Sequence, residues 1–271
     1  MYDCHTHSIN SHDGRETIDD LCARAIKIGL SGIAISDHTL PAPYGCEEYE
    51  NIKNSIEETR KCQEKYKSKL TVITAFELDD RTASEGNKPF YDLETDFVLG
   101  SLHSTIILRD YFSHTPYKSL YDQSDIIPDD IIEEFLVLYY NKLEKKLDED
   151  IDAIAHITYP FRYLNGVSNR NYKTQNYLHL MEPILKKIID TDKCLELNTS
   201  GKANNWSEFM PDECVLRRYY ELGGRDVTLG SDAHRCENLA VGFGEACDLL
   251  KSIGITHAFY YMNREKHKYN L

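Results

Sequence analysis

The chain has 271 residues, which is enough to bury one large core, and its 41% hydrophobic and 11% aromatic content excludes a disordered composition. Its formal net charge of −14, from 31 basic and 45 acidic residues, argues against nucleic acid as the main partner because no continuous basic face is expected. A small anionic substrate is still compatible, since bound divalent cations can reverse the local charge of a site.

Predicted elements alternate between short apolar runs and longer amphipathic stretches. In chain order they are strand 2–5, helix 17–30, strand 32–36, helix 47–69, strand 70–77, strand 96–103, helix 127–149, strand 151–157, helix 174–190, strand 194–200, helix 211–224, strand 226–232, helix 244–252 and a last apolar run at 257–261. This alternation predicts parallel β-α units with right-handed crossovers, and seven or eight strands favour an α/β barrel over an open sheet. We expect one domain spanning residues 1–271.

The cysteines and the N-terminal residues indicate the cellular compartment of the protein. The eight cysteines include no C-x-x-C pair, which argues against a zinc ribbon and a secreted disulfide scaffold. The first residues lack the basic and apolar regions of a signal peptide, and no apolar run is long enough for a membrane span. We therefore expect a cytoplasmic protein that does not associate with a membrane.

Side chains that can bind metal ions end nearly every predicted strand. In chain order they are His5 and His7, Asp37 and His38, Glu77, His103, His156, Glu196 and Asn198, and Asp232 and His234. In a parallel barrel the carboxyl ends of all strands share one face, so these residues should converge in one pocket. The H-x-H spacing puts two imidazoles on the same side of an extended segment. Histidines and carboxylates without cysteine suit zinc, manganese or iron.

Eight short motifs carry a family resemblance. They are HTH at 5–7, HDG at 12–14, SDH at 36–38, the glutamate of AFE at 77, GSLHS at 100–104, AHITYPFR at 155–162, ELNTSG at 196–201 and GSDAH at 230–234. In type and order they resemble the PHP (polymerase and histidinol phosphatase) superfamily, and ELNTSG resembles its histidinol-phosphate phosphatase branch. The resemblance implies a distorted, TIM-like (β/α)7 barrel with two or three divalent metal ions at its mouth.

The resemblance also implies a ligand set for each ion. The first ion is held by His5, His7, Glu77 and Asp232, the second by Glu77, His103 and His156, and the third by His12, His38 and His234. Glu77 would bridge the first two ions. Asp13 and Asp37 are interpreted as turn, cap or ligand-orienting residues rather than direct ligands.

The implied activity is hydrolysis of L-histidinol phosphate to L-histidinol and phosphate, a step of histidine biosynthesis. A hydroxide bridging two metal ions would attack phosphorus in line with the leaving alcohol. Arg162 matches a basic position that binds the substrate phosphate in the family, where its guanidinium suits phosphate oxygens. The candidates for protonating the leaving alkoxide are a metal-bound water, or Asp232 or His234 acting through one.

The sequence leaves alternatives for the residues that contact the rest of the substrate. Lys202, after the NTSG motif, either reaches the phosphate or leaves it to Arg162 and the metals. Asn198, a candidate substrate contact, and Glu196 either line the pocket or serve to orient ligands or close the barrel. The ammonium and imidazole of the substrate need an acidic or aromatic wall, for which the candidates are Asp80, Glu85, Tyr44 and Tyr159.

Two other functions compete with the leading one. A PHP phosphoesterase could act on another substrate, such as a nucleotide or phosphotyrosine. A metal-binding module that has lost its activity could serve a structural or regulatory role, but no ligand position is missing from this sequence, which speaks against that alternative.

Overall fold

Seven parallel strands form the centre of the computed structural model, which describes residues 1–39, 47–79, 88–103, 119–168, 170–203 and 206–271. The strands are β1 (Tyr2–Asp3), β2 (Gly32–Ile35), β3 (Thr71–Leu78), β4 (Phe97–Gly100), β5 (Ala153–Ile154), β6 (Cys194–Asn198) and β7 (Val227–Gly230). Each pairs in parallel with the next strand in sequence. The predicted parallel barrel is thereby confirmed.

The ring closes between β1 and β7. The backbone N–H of Cys4 donates to the carbonyl of Leu229 at 2.8 Å, and that of Asp232 donates to the carbonyl of His5 at 2.7 Å. These bonds bring the HTH motif beside the GSDAH motif. Two candidate ligand groups that are far apart in sequence thus meet at the seam of the barrel.

Helices surround the strands. They are α1 (Ile18–Lys27), α2 (Glu47–Tyr66), α3 (Lys88–Tyr91), α4 (Leu120–Gln123), α5 (Asp129–Lys146), α6 (Tyr159–Phe161), α7 (Leu178–Asp190), α8 (Glu213–Glu221) and α9 (Phe243–Ile253). In α1, the Thr17 side chain caps the first turn by accepting from the N–H of Asp20, and the apolar residues that follow at helical spacing are buried. No helix in the described part of the chain is long and apolar enough to cross a bilayer.

The interior face of the barrel is apolar at one end and ionisable at the other. Ile73 and Ala75 of β3 pack in one buried cluster with Phe97 and Leu99 of β4. Because strand residues two apart point to the same side, the next interior position on β3 is Glu77, which is fully buried. The alternation that fills the core therefore also delivers a carboxylate to the carboxyl end of the strand.

A hairpin closes the opposite end of the barrel. It consists of β8 (His257–Met262) and β9 (Glu265–Asn270), which pair antiparallel. Phe259 and Tyr261 join the interior cluster, and the ring of Tyr261 stacks on Phe97 at the start of β4 with centroids 5.2 Å apart. The last apolar run of the sequence is therefore half of a hairpin and does not form an eighth barrel strand.

Candidate metal centre

The first group of predicted ligands lies where β1, β3 and β7 end. His5 and His7 are alternate residues of the extended segment after β1, and both are fully buried. The Nε2 atom of His5 lies 3.2 Å from Oε2 of Glu77, and that of His7 lies 3.2 Å from Oδ1 of Asp232. The same Asp232 oxygen lies 3.6 Å from Nε2 of His5. Four side chains from three strands thus converge on one point.

The second group gathers around the other oxygen of Glu77. Nε2 of His156 lies 3.0 Å from Oε1 of Glu77, and Nε2 of His103 lies 3.6 Å from the same atom. Each oxygen of this carboxylate therefore faces a different set of imidazoles. That geometry suits a carboxylate that bridges two ions, which is the role the sequence predicts for Glu77.

A third group forms around His38 and His234. The ring of His7 lies against both of them, with centroids 4.1 Å from His38 and 4.3 Å from His234. Oδ2 of Asp13 lies 2.9 Å from Nε2 of His234 and 3.6 Å from Nε2 of His38. The acidic member of this group is thus Asp13, for which the sequence predicts a turn, cap or ligand-orienting role.

His12, the predicted third-ion ligand, lies at the solvent-exposed edge of this group. Its side chain is 62% exposed, and its Nε2 lies 3.8 Å from the carboxylate of Asp13. The loop folds back tightly at Gly14, where a Cβ would stand 1.8 Å from the carbonyl oxygen of Ser8. The Asp13 carboxylate lies between His38 and His234, and the ring of His12 lies at the edge of the same group, with its centroid 5.6 Å from that of His38.

Unpaired polar atoms show that the residues fit metal ions. Among the described residues, Nε2 of His5, Nε2 of His7 and Oε2 of Glu77 are buried without a hydrogen-bond partner. Such atoms are rare because each costs about 1–3 kcal/mol unless a partner or ion satisfies it. Ligand atoms lie within 4.8 Å of one another in four overlapping groups: His5, His7 and Asp232; His5, Glu77 and His156; His38, Glu77 and His103; and His7, His38 and His234. Nitrogen and carboxylate donors suit zinc, manganese or iron.

Charges at the centre are strongly coupled. Burial would raise the pKa of the Glu77 carboxyl, but neighbouring imidazoles, His38 foremost, hold that pKa well below its ordinary value. Burial would lower the pKa of His5, but the surrounding carboxylates, Glu196 foremost, raise it well above its ordinary value. Burial and the adjacent imidazoles lower the pKa of His7. The carboxylates therefore attract positive charge, which a proton or a metal ion can supply.

Further carboxylates hold the imidazoles in place. Nδ1 of His5 lies 2.6 Å from Oε1 of Glu196, and Nδ1 of His103 lies 2.7 Å from Oδ2 of Asp79. In each case the ring nitrogen facing the centre is Nε2. Sequence reasoning did not single out Asp79, although it stands two residues after Glu77 and that spacing could have indicated a second carboxylate on the same side.

Asp37 fastens the loop that carries His7. Its buried carboxylate accepts hydrogen bonds from the hydroxyls of Ser8, Ser11 and Ser55 at 2.5–2.9 Å. The Ser11 hydroxyl also accepts the backbone N–H of His38 at 3.0 Å. Asp37 therefore contacts serines next to the ligands, and it belongs to none of the described groups that could hold a metal ion.

Two predicted substrate contacts are engaged elsewhere. Asn198 is fully buried, where its Oδ1 accepts the N–H and hydroxyl of Ser200 and its Nδ2 lies 3.2 Å from Glu196 and 3.4 Å from Asp232. This arrangement matches the alternative reading of Asn198 as an orienting residue, because its amide is used within the protein. Nζ of Lys202 lies 2.9 Å from Glu245, which satisfies its charge away from the ligand groups.

The other predicted substrate residues follow β5. Arg162 begins a π-helical turn, Arg162–Val167, directly after α6. The ring of Tyr159 contacts the second ligand group, with centroids 4.8 Å from His103 and 4.9 Å from His156. Three candidates for the substrate wall, Tyr44, Asp80 and Glu85, lie outside the described residues.

This architecture defines a class: β/α-barrel proteins with overlapping histidine and carboxylate ligand groups at the carboxyl ends of their strands. The model of the PHP domain family matches residues 3–200. The chain belongs to the PHP domain family, as its motifs predict.

Relatives and a solved structure share nearly its whole length. It is 29% identical over 266 residues to the Probable histidinol-phosphatase of Clostridium acetobutylicum, covering 96% of each chain. It is 28% identical over 258 residues to the Probable histidinol-phosphatase of Thermotoga maritima, covering 95% of this chain and 94% of that protein. The crystal structure of histidinol phosphate phosphatase from Lactococcus lactis, complexed with zinc, L-histidinol and phosphate, superposes with a TM-score of 0.78, 22% identity and 98% coverage of both chains.

Proposed function

We propose that this protein is a metal-dependent histidinol-phosphatase that hydrolyses L-histidinol phosphate to L-histidinol and phosphate. The observation that carries the proposal is Glu77, whose two oxygens face two separate sets of imidazoles. The names of the relatives and the zinc, L-histidinol and phosphate bound by the Lactococcus lactis enzyme support this substrate.

Three ligand sets are part of the proposal. We assign the first ion to His5, His7, Glu77 and Asp232, the second to Glu77, His103 and His156, and the third to His38, His234 and Asp13. Bound divalent cations supply neutralisation of the phosphate charge and a lowered pKa for water. Zinc is the first candidate because the Lactococcus lactis enzyme was crystallised with it.

The protein's own groups position the substrate and move the proton. The Arg162 guanidinium would bind the phosphate oxygens as a fork. His234 and Asp232, each acting through a water, are the candidates for delivering a proton to the leaving oxygen. The His234 side chain is 28% exposed and that of Asp232 is 9% exposed, so His234 is the more accessible to a bound substrate or water.

We further propose that residues 1–271 act as one PHP-type barrel domain in the cytoplasm. The C-terminal hairpin packs into the barrel interior through Phe259 and Tyr261, so it is part of the same core. The seven cysteines within the described residues are free thiols, which agrees with a reducing compartment.

Phosphate release by the purified protein tests the substrate. With Zn²⁺ or Mn²⁺ we expect kcat/KM for L-histidinol phosphate to exceed that for nucleoside monophosphates and phosphotyrosine peptides by at least ~100-fold. Protein stripped by a chelator is the control and should be inactive until metal is returned. Preference for a nucleotide or phosphotyrosine would reject the substrate but keep the reaction class. Inactivity on all substrates with fewer than two bound ions would favour a metal-binding module.

A further inference from the structure

Glu196 belongs to none of the proposed ligand sets, yet it contacts two of them. Its Oε1 lies 2.6 Å from Nδ1 of His5, a ligand of the first ion. Its Oε2 accepts the backbone N–H of His156, a ligand of the second ion, at 2.9 Å. The carboxylate is 1% exposed, and both histidines are fully buried. One buried side chain on β6 thus links a ligand after β1 to a ligand after β5.

Among acidic and amide side chains of this length, only a carboxylate can accept all the hydrogen bonds that reach position 196. Glu196 faces three hydrogen-bond donors. They are the ring N–H of His5, the backbone N–H of His156 and the side-chain amide of Asn198, the last at 3.2 Å. A carboxylate offers two acceptor oxygens and no donor, whereas a glutamine amide offers one acceptor and one donor. Accepting from Nδ1 also fixes the tautomer of His5, which leaves the lone pair of Nε2 directed at the first ion.

The backbone of His156 gives this contact a second purpose. His156 has φ of +28°, in the region that side chains other than glycine rarely adopt. Residues persist in such conformations when the surroundings determine them strongly. The hydrogen bond from its N–H to Glu196 is one such restraint, and the conformation sets where the imidazole leaves the strand.

Gly230 on β7 leaves room for the pair formed by Glu196 and His5. A Cβ at Gly230 would stand 2.3 Å from Oε1 of Glu196 and 2.6 Å from Cβ of His5. A methyl group there would overlap both atoms, so the neighbouring strand accommodates the pair only with glycine.

We propose that Glu196 is a positioning residue that sets ligand geometry at the first and second ions together, through the tautomer of His5 and the backbone of His156. The proposal rests on the ligand sets assigned above. It distinguishes Glu196 from Asp79, whose carboxylate contacts His103, a ligand of the second ion.

Metal binding by the full-length protein tests the proposal. In Glu196→Gln we expect the affinity for two ions to fall 10- to 100-fold, the usual effect of losing a group that orients a ligand, while the third ion is retained. Affinities would come from competition with a chromophoric chelator using Zn²⁺. The visible absorption of the Co²⁺-loaded protein should change, because it reports ligand geometry directly.

Two further variants separate positioning from general stability. Asp79→Asn should weaken one ion only, and Gly230→Ala should weaken the first ion more than the second because its methyl group displaces His5 and Oε1. Circular dichroism checks that each metal-free variant is folded. If Glu196→Gln does not fold, the affinities of Gly230→Ala test the proposal in its place. Unchanged affinities and an unchanged Co²⁺ spectrum in the folded variants, or weakening of a single ion in Glu196→Gln, would overturn the proposal.

Metal titration of the unmutated protein keeps this test separate from the proposed function. If the protein binds its ions but does not hydrolyse L-histidinol phosphate, the substrate assignment fails and the role of Glu196 is still measured. If the protein binds no ions, the ligand sets fail, and the positioning role fails with them.

Discussion

Two adjacent side chains in the loop after β1 have different surroundings. Asp13 lies 2.9 Å from His234, whereas His12 is largely exposed. We predict that Asp13→Asn reduces the metal content by one ion per chain, because it removes the carboxylate of the third set. His12→Asn is the matched control and should leave the metal content unchanged, as measured by elemental analysis after dialysis. Loss of an ion in the control alone would restore His12 as the ligand.

The raised histidine pKa values at the centre predict how metal binding varies with pH. Carboxylates outweigh burial and raise the pKa of His5, His38 and His103 above the ordinary value, which favours the protonated imidazoles in the metal-free protein. Their contribution to stability is present at low pH and lost as pH rises through the raised pKa values. A metal ion must displace these protons, so its affinity rises with pH.

The measurement that follows is the difference in Tm between metal-loaded and metal-free protein. We expect this difference to be larger at pH 8 than at pH 6, because tighter binding stabilises the folded state more. The metal concentration of the loaded sample and the chelator concentration of the metal-free sample should each be the same at both pH values. A difference in Tm that stays constant or shrinks with rising pH would contradict the coupling between the imidazole protons and the metal.

At the scale of elements, the C-terminal hairpin contributes to stability rather than to the metal centre. Phe259 is buried in the barrel interior, at the end remote from the ligands. We predict that Phe259→Ala lowers the free energy of unfolding by about 3–5 kcal/mol, the usual cost of removing a buried phenyl ring. Guanidinium denaturation measures this, with Val137→Ala on the exposed side of α5 as the control of small effect. If Phe259→Ala were as stable as Val137→Ala, or if it lost bound metal without losing stability, the hairpin would not have this role.

The alternation of strands and helices could be predicted because it depends on hydrophobic period. The residues that end β1 to β7 could be predicted for the same reason, since the carboxyl ends of parallel strands share one face. Strand β9 could not, because its polar sequence EKHKYN contains no apolar alternation. Its pairing depends on the turn at Asn263 and Arg264, whose φ values of +52° and +63° suit a two-residue hairpin although neither residue is glycine.

The position of Asp13 among the ligand groups could not be predicted, for a different physical reason. Strand residues have a fixed period, so the inward direction of Glu77 follows from its position. Residues 8–16 form a loop, where direction depends on contacts such as the N–H of Arg15 donating to the carbonyl of His234 at 3.1 Å. Sequence spacing contains no information about such contacts, so the exposure of His12 and the contacts of Asp13 could not be predicted from it.

At the scale of the whole molecule, the fold and the metal centre are separable. The three buried hydrophobic clusters of the described chain contain none of the proposed ligands. We therefore predict that chelation abolishes activity and lowers Tm while the far-UV circular dichroism is retained at 25 °C. Returning Zn²⁺ should restore the original Tm. Loss of secondary structure on chelation would show instead that the ions are required for folding.

The seam between β1 and β7 has a consequence for the order of events during synthesis. Asp3 accepts hydrogen bonds from the backbone and hydroxyl of Ser231, which lies 228 positions later in the chain. On a ribosome, the segment that carries His5 and His7 therefore emerges long before the residues that complete its surroundings. Contacts of such high sequence separation form late because their loop-closure entropy is large. Uptake of the first ion should accordingly mark chains whose barrel is complete, so a nascent chain stopped before Asp232 would lack this site.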